Sequence, residues 1–251
     1  MKYKKILLTG STGELGKAIV NSGYFNHILD PTSKEMDITK PGTIDKFFKE
    51  NDFDSIIHCA ALARMRECEE NPKKAIEVNI MRTGNLVMAT MKKEMENRKK
   101  IRFMHISTDG VYPGIKGNYS EKDAAIPYNA YGWSKLGAEC LVNLLSNRCI
   151  IRTSFFDTKN IKFEDAAIVA YSSKIPIGYF VKAISMLLNR GFIGTINVGR
   201  GKKSDYLHYK EFKPHIKKCK IAYMQKNMPF AFYKDCSMDI SLWKRIEKDA
   251  Q

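Results

Sequence analysis

The sequence predicts an α/β protein: a Rossmann-like, doubly wound parallel sheet with a small C-terminal lobe. Three observations carry this. Short apolar runs alternate with longer amphipathic stretches from residue 5 to residue 153, the pattern of repeated strand-helix-strand units. A glycine-rich segment, Thr9-Gly10-Ser11-Thr12-Gly13-Glu14-Leu15-Gly16, joins the first apolar run to the first helix. Finally, Gly10, Asp30, Ala60-Ala61, Thr108 and Thr153 fall at the carboxyl ends of apolar runs, where ligands gather in such sheets.

Taken in order, residues 5–8 are the first strand and 17–20 lie in the first helix. Between them Gly10 permits a sharp turn, Gly13 lets backbone approach a pyrophosphate without a Cβ in the way, and Gly16 lets the helix sit close to the strand. The helix N-terminus then offers unpaired N–H groups to phosphates. Glu14 would repel a pyrophosphate, so its carboxylate is expected to point to solvent. A second strand over 27–30 ends in Asp30, where an acid can bond the adenosine ribose hydroxyls and favour NADH over NADPH. Lys34 could hold the extra phosphate of NADPH instead, and Asp30-Pro31 could simply start a turn. Pro41-Gly42 introduces a helix over 43–51, followed by a strand over 55–60, a long helix over 74–98, a strand over 101–106, a helix from Tyr131 to about 146 and a strand over 149–153. Beyond that the pattern loosens: a helix over 180–190, a strand over 195–198 and a lysine-rich tail. Residues 1–153 are therefore expected to form a nicotinamide-dinucleotide domain. Residues 154–251 are expected to form a small substrate-binding lobe, part of which returns to the sheet. No internal repeat or low-complexity tract is visible.

A chain of 251 residues can bury a full core. It has no apolar stretch long enough to span a bilayer and no signal-like N-terminus, so a cytoplasmic protein without membrane contact is expected. The six cysteines, 59, 68, 140, 149, 219 and 236, show no Cys-x-x-Cys spacing and read as reduced packing residues, with no metal site. A net charge of +15 attracts anions. The basic runs 92–100 and 202–220 read as solvated helix faces and turns rather than a nucleic-acid surface, which would need aromatics or arginines placed to read bases. A substrate carrying a diphosphate would benefit from the same field.

The segment Tyr131-Gly132-Trp133-Ser134-Lys135 carries the chemistry. Positions i and i+4 share a helix face, so the Lys135 ammonium can stand beside the Tyr131 phenol, lower its pKa and still reach a ribose hydroxyl. Such a phenol can exchange a proton with a substrate oxygen. Tyr-x-x-x-Lys alone is common by chance; Ser107-Thr108-Asp109 and the glycine segment give it weight. Tyr128, the rival phenol, has Gly132 at i+4 and no lysine partner.

In this order the motifs resemble the extended short-chain dehydrogenase/reductase family, and within it the dTDP-4-dehydrorhamnose reductase branch, over most of residues 4–154. The resemblance implies a cofactor site of Gly10, Thr12, Gly13, Leu15, Gly16, Asp30, Asp37, Ile38, Ala60, Ala61, Leu62, Asn79, Tyr131 and Lys135. It implies NADH or NADPH as cofactor and a nucleotide-linked 4-keto-6-deoxysugar as substrate, with a homodimer left open. By the same resemblance Thr108 donates a hydrogen bond to the substrate carbonyl, Tyr131 protonates the developing alkoxide and Lys135 holds the nicotinamide ribose. Thr108, Asp109, Arg66 and Ser154 would touch substrate. A sugar-nucleotide dehydratase uses an Asp-Glu pair after the threonine, and here the pair is Asp109-Gly110. Cys59-Ala60-Ala61 stands for the family's Asn-Ala-Ala, and Phe155-Phe156 for Trp-Val. The stretch 156–176 looks shortened, which puts the sugar and base in question. The alternatives are an epimerase or dehydratase of the same superfamily, or a cofactor-binding regulatory subunit without turnover.

Overall fold

The computed structural model describes residues 3–226 and 228–249. From β1 (Ile6–Thr9) the chain passes through α1 (Glu14–Val20) to β2 (Ile28–Leu29), then α2 (Pro41–Glu50), β3 (Ser55–His58), α3 (Met65–Glu70) and α4 (Pro72–Ala75). A π-helical turn (Ile76–Met81) leads into α5 (Arg82–Asn97), followed by β4 (Arg102–Ile106), a 3₁₀ turn (Asp109–Val111), α6 (Ala130–Val142) and β5 (Arg148–Arg152). Next come β6 (Phe155–Phe156), β7 (Asp165–Ala167), β8 (Tyr171–Ser172), β9 (Ile175–Pro176), α7 (Ile177–Arg190) and β10 (Gly194–Asn197). The chain closes with β11 (Lys203–Ser204), α8 (Asp205–Lys210), β12 (Lys217–Cys219), α9 (Ile221–Lys226) and α10 (Ser241–Lys248).

Six strands pair in the order β10-β5-β4-β3-β1-β2, and every pairing is parallel. Strand residues alternate between two cores because successive side chains point to opposite faces. Ile6, Leu8, Ile57 and Met104 meet α1, α7 and Trp243 of α10 on one side. Leu7, Ile56, Phe103 and Ile150 meet α2, α5 and Val142 of α6 on the other. That is the doubly wound architecture. From β1 the chain steps outward to β2 and then crosses to β3 on β1's other flank, so the crevice for a ligand opens between β1 and β3.

The expected long helix is interrupted. Its register widens to the π turn around Asn79, an arrangement that recurs at functional sites, and the helix bearing Tyr131 ends at Val142. Pro41, expected to precede the second helix, is its first residue, where a proline loses no needed hydrogen bond. Within the basic run 92–100, Lys93 is buried, its Nζ bonded to the Phe48 and Asn51 carbonyls at the end of α2. Cys140 is exposed on α6, so it is not a packing residue; Cys68, Cys149 and Cys236 are buried thiols. After β5 the chain builds three two-stranded ribbons, β6 with β9, β7 with β12 and β8 with β11, while α7 and β10 add to the main sheet. Among the described residues no helix is long and apolar enough to cross a membrane, and no three or more His, Cys, Asp or Glu side chains are grouped so as to hold a metal ion.

Candidate active site

The glycine segment closes the crevice between β1 and β3. Gly10 has φ +77°, and a Cβ there would lie 2.6 Å from the Ala60 backbone nitrogen, so only glycine lets the two strand ends meet. A Cβ on Gly16 would lie 2.2 Å from the Gly10 carbonyl oxygen; α1 therefore rests directly on the turn. Gly13 donates its N–H to Gly10 O at 3.1 Å. The turn is thus closed by backbone packing alone. Glu14 is exposed, as expected, yet it also stands at the rim of the cavity.

Thr108 follows β4 and caps the 3₁₀ turn, accepting the Gly110 N–H at 3.0 Å. Tyr131 lies in the first turn of α6, which Asn129 caps by accepting the Gly132 N–H at 2.8 Å. The two pieces are pressed together: a Cβ on Gly132 would lie 2.2 Å from the Gly110 carbonyl oxygen. This contact brings Tyr131 to Thr108. Burial pushes the Tyr131 phenol above its ordinary pKa, while a hydrogen bond from Thr108 draws it down and Asp109 adds to the rise.

Lys135 is buried, and burial lowers its ammonium to about 8 against the pull of Glu139. Its Nζ donates to Nε2 of His105 at 3.3 Å, so the direct effect expected on Tyr131 is replaced here by a contact with a histidine of β4. His105 Nδ1 is buried with no partner, and its ring lies 5.4 Å from that of His58 on β3. His58 is held neutral, its pKa lowered by burial to about 3. Thr83 Oγ1 donates to the Asn79 carbonyl at 2.8 Å and so accepts from His58 Nε2 at 2.9 Å. That leaves His58 Nδ1 to accept the Thr9 hydroxyl at 2.6 Å.

Other marked residues divide. Gly10, Gly13, Leu15, Gly16, Ala61, Thr108, Asp109, Tyr131, Lys135 and Ser154 line one cavity of about 530 Å³. Asn79 is buried and fully engaged: Oδ1 accepts Leu62 N–H at 2.7 Å, and Nδ2 donates to the Leu62 carbonyl at 3.0 Å and Ser134 Oγ at 2.8 Å. It shapes the loop after β3 and has no amide hydrogen left for a cofactor. Asp37 accepts the Thr39 N–H at 2.9 Å, and Ile38 gives its carbonyl to Asn85. Asp30 follows β2 and is exposed, as is Thr12 on the glycine turn. Thr12, Asp30, Asp37, Ile38, Ala60 and Leu62 stand outside the cavity lining, and Arg66 is exposed on α3, also outside it.

Sequence reasoning missed several residues that build the site. Ser107 donates to Glu139 Oε1 at 2.5 Å, and Glu139 pairs with Arg152 at 2.7 Å, tying α6 to the ends of β4 and β5. A buried pair on the lobe, Lys174 and Asp205 at 2.6 Å, faces the same cavity. Burial raises Asp109 to about 6, with Lys174 opposing the rise. The Ser107 and Arg152 segments were marked, but nothing in local spacing pairs Glu139 with them, or Lys174 with Asp205.

Sheet order, switch point and cavity define a Rossmann-like α/β protein with a dinucleotide-type crevice. The family model for the RmlD substrate binding domain matches residues 4–164, and the chain belongs to that family. It is 33% identical over 163 residues to a probable low-salt glycan biosynthesis reductase, Agl14, of Haloferax volcanii, covering 59% of this chain and 52% of that protein. It is 32% identical over 157 residues to a dTDP-4-dehydrorhamnose reductase of Aggregatibacter actinomycetemcomitans, covering 60% and 51%. The chain thus spans about half the length of the curated relatives it matches. Among solved structures, the dTDP-4-dehydrorhamnose reductase of Bacillus anthracis in complex with NADP superposes with a TM-score of 0.81 at 22% identity, covering 98% of this chain and 92% of that one.

Proposed function

We propose that the protein is a nicotinamide-dependent reductase of a nucleotide-linked 4-keto-6-deoxysugar. The observation that carries this reading is the convergence of Thr108, Tyr131 and Lys135 on a cavity shared with Gly10 and Gly13. When bound, the reduced nicotinamide supplies a hydride. When substrate enters, the Thr108 hydroxyl turns from Asp109 to donate its one hydrogen to the sugar carbonyl, and Tyr131 gives its proton to that oxygen as it becomes an alkoxide. A phenol whose pKa burial has raised is fully protonated at neutral pH, the state a reduction requires. Lys135, held by His105, lines the cavity one helical turn from Tyr131 and serves the nicotinamide ribose.

The lobe formed after β5 supplies the sugar-facing wall. Gly110 offers no side chain for the proton abstraction a dehydratase performs, and its carbonyl is packed against Gly132, which favours the reductase. For the cofactor, NADPH is our reading: the Bacillus anthracis neighbour holds NADP, and Lys34 lies exposed four residues beyond Asp30. This reverses the preference for NADH that Asp30 alone suggests.

The test follows nicotinamide absorbance while the protein meets NADPH or NADH and a panel of nucleotide 4-keto-6-deoxysugars. Tyr131→Phe is expected to lower kcat roughly a hundred- to ten-thousandfold. Cofactor binding without oxidation by any sugar would sink the reductase and leave the regulatory-subunit or epimerase reading.

A further inference from the structure

We infer that the buried cluster of Lys174, Asp205 and Tyr233, backed by Ser172, is the subsite that receives the sugar ring, and that it selects rings carrying a free hydroxyl at C3, beside the reacting carbonyl. The inference rests on the reductase reading of the cavity. Three separate segments of the lobe converge here: the β8–β9 connection brings Lys174, the start of α8 brings Asp205, and the stretch before α10 brings Tyr233. Lys174, Asp205 and Tyr233 line the cavity that Thr108 and Tyr131 line.

The hydrogen-bond inventory determines what such a wall can hold. Lys174 Nζ donates to Asp205 Oδ1 at 2.6 Å, to Tyr233 Oη at 2.8 Å and to Ser172 Oγ at 3.3 Å, which uses all three of its hydrogens. Ser172 Oγ donates to Asp205 Oδ1 at 3.1 Å and Tyr233 Oη to Asp205 Oδ2 at 2.5 Å, so neither hydroxyl has a proton left. Lone pairs remain: one on Asp205 Oδ2, and those of the Asp109 oxygen that Thr108 does not bond. Asp205 pairs with the Lys174 ammonium and Asp109 adds a second carboxylate to the cavity lining, so this wall carries more acceptors than donors. Tyr209, its ring centroid 5.9 Å from Lys174 Nζ, adds one hydroxyl to the same wall.

A ligand meeting this wall must bring donors and must not bring an anion. Diphosphate and uronate groups bring only acceptors and negative charge; a hydroxylated ring brings donors. Because Asp109 directly follows Thr108 and lines the same cavity, the ring atoms nearest this wall are taken to be those beside the reacting C4 carbonyl, and of these C3 carries a hydroxyl while C5 carries the methyl group. A buried ion pair contributes little net stability once desolvation is counted. Its presence on a cavity wall therefore fits selection of a ligand better than support of the lobe.

The experiment measures, by calorimetry with NADP present, the affinity for a nucleotide 4-keto-6-deoxyhexose and for its 3-deoxy counterpart, with NADPH oxidation followed separately. The native protein should bind the fully hydroxylated sugar roughly ten- to a hundredfold more tightly. Tyr233→Phe should narrow that ratio, and the double change Lys174→Met with Asp205→Leu, which leaves no lone buried charge, should bring it near one. Equal affinities in the native protein, or an unchanged ratio in the double variant, would overturn the subsite. A clear binding preference without any oxidation would sink the reductase reading alone.

Discussion

At the residue scale, the chemistry depends on how the site treats one lysine. Lys135 is charged below about pH 8 and neutral above it. Activity that relies on its charge should fall as pH rises through that value. His105 is its hydrogen-bond acceptor, so His105→Leu should move the alkaline limb of the kcat profile to lower pH, and His105→Gln, whose amide oxygen accepts more strongly, to higher pH. The other groups facing Lys135 are Glu139 on its own helix, His58 at the end of β3 and Cys59 just after it; Glu139 raises its pKa and His58 is neutral. Limbs that stay put in both variants would show that His105 does not act on Lys135. Stability carries the same signature with a definite sign. Between about pH 8 and the ordinary lysine pKa of 10.5 the unfolded chain binds more protons than the folded one, so stability should rise with pH across that window.

At the element scale, the site exists because α6 lies against the 3₁₀ turn after β4 with no side chain between them. Gly132→Ala would force a Cβ to within 2.2 Å of the Gly110 carbonyl oxygen. The helix and turn would have to part, at a cost of about 1–3 kcal/mol. Urea unfolding should record that loss, and kcat should fall in parallel because Tyr131 and Thr108 separate with the elements that carry them. A stable, fully active variant would contradict this account. The π turn in the long helix belongs to the same scale: it brings Asn79 to the Leu62 backbone and Ser134, linking β3's loop to the helix of Tyr131.

At the scale of the whole molecule, the crevice between β1 and β3 couples fold to ligand. Gly10→Ala would clash with the Ala60 backbone and place alanine at φ +77°. In thermal unfolding, native protein should gain stability from NADPH, about 2.7 kcal/mol at a hundred times the dissociation constant. The alanine variant should lose most of that gain and melt lower without ligand. An undiminished gain would place the dinucleotide elsewhere.

Much of this was legible in one dimension. The buried strands read as near-continuous apolar runs, the helices as amphipathic stretches and the turn as three spaced glycines, because parallel sheets impose those local patterns on a chain. Thr108, Tyr131 and Lys135 stood out for the same reason: helix periodicity and strand ends place them without knowledge of anything distant. Tertiary structure alone decided which partners meet across long separations. His105 takes up Lys135, Gly110 admits Gly132, Glu139 joins Arg152, and Lys174 finds Asp205 and Tyr233. It also spent both amide hydrogens of Asn79 on Leu62 and Ser134. No period in the sequence encodes such pairings, since they arise from how strands are ordered and how the lobe folds back. Local chemistry thus determined the class of fold and singled out Thr108, Tyr131 and Lys135, and three-dimensional packing determined which distant side chains surround them.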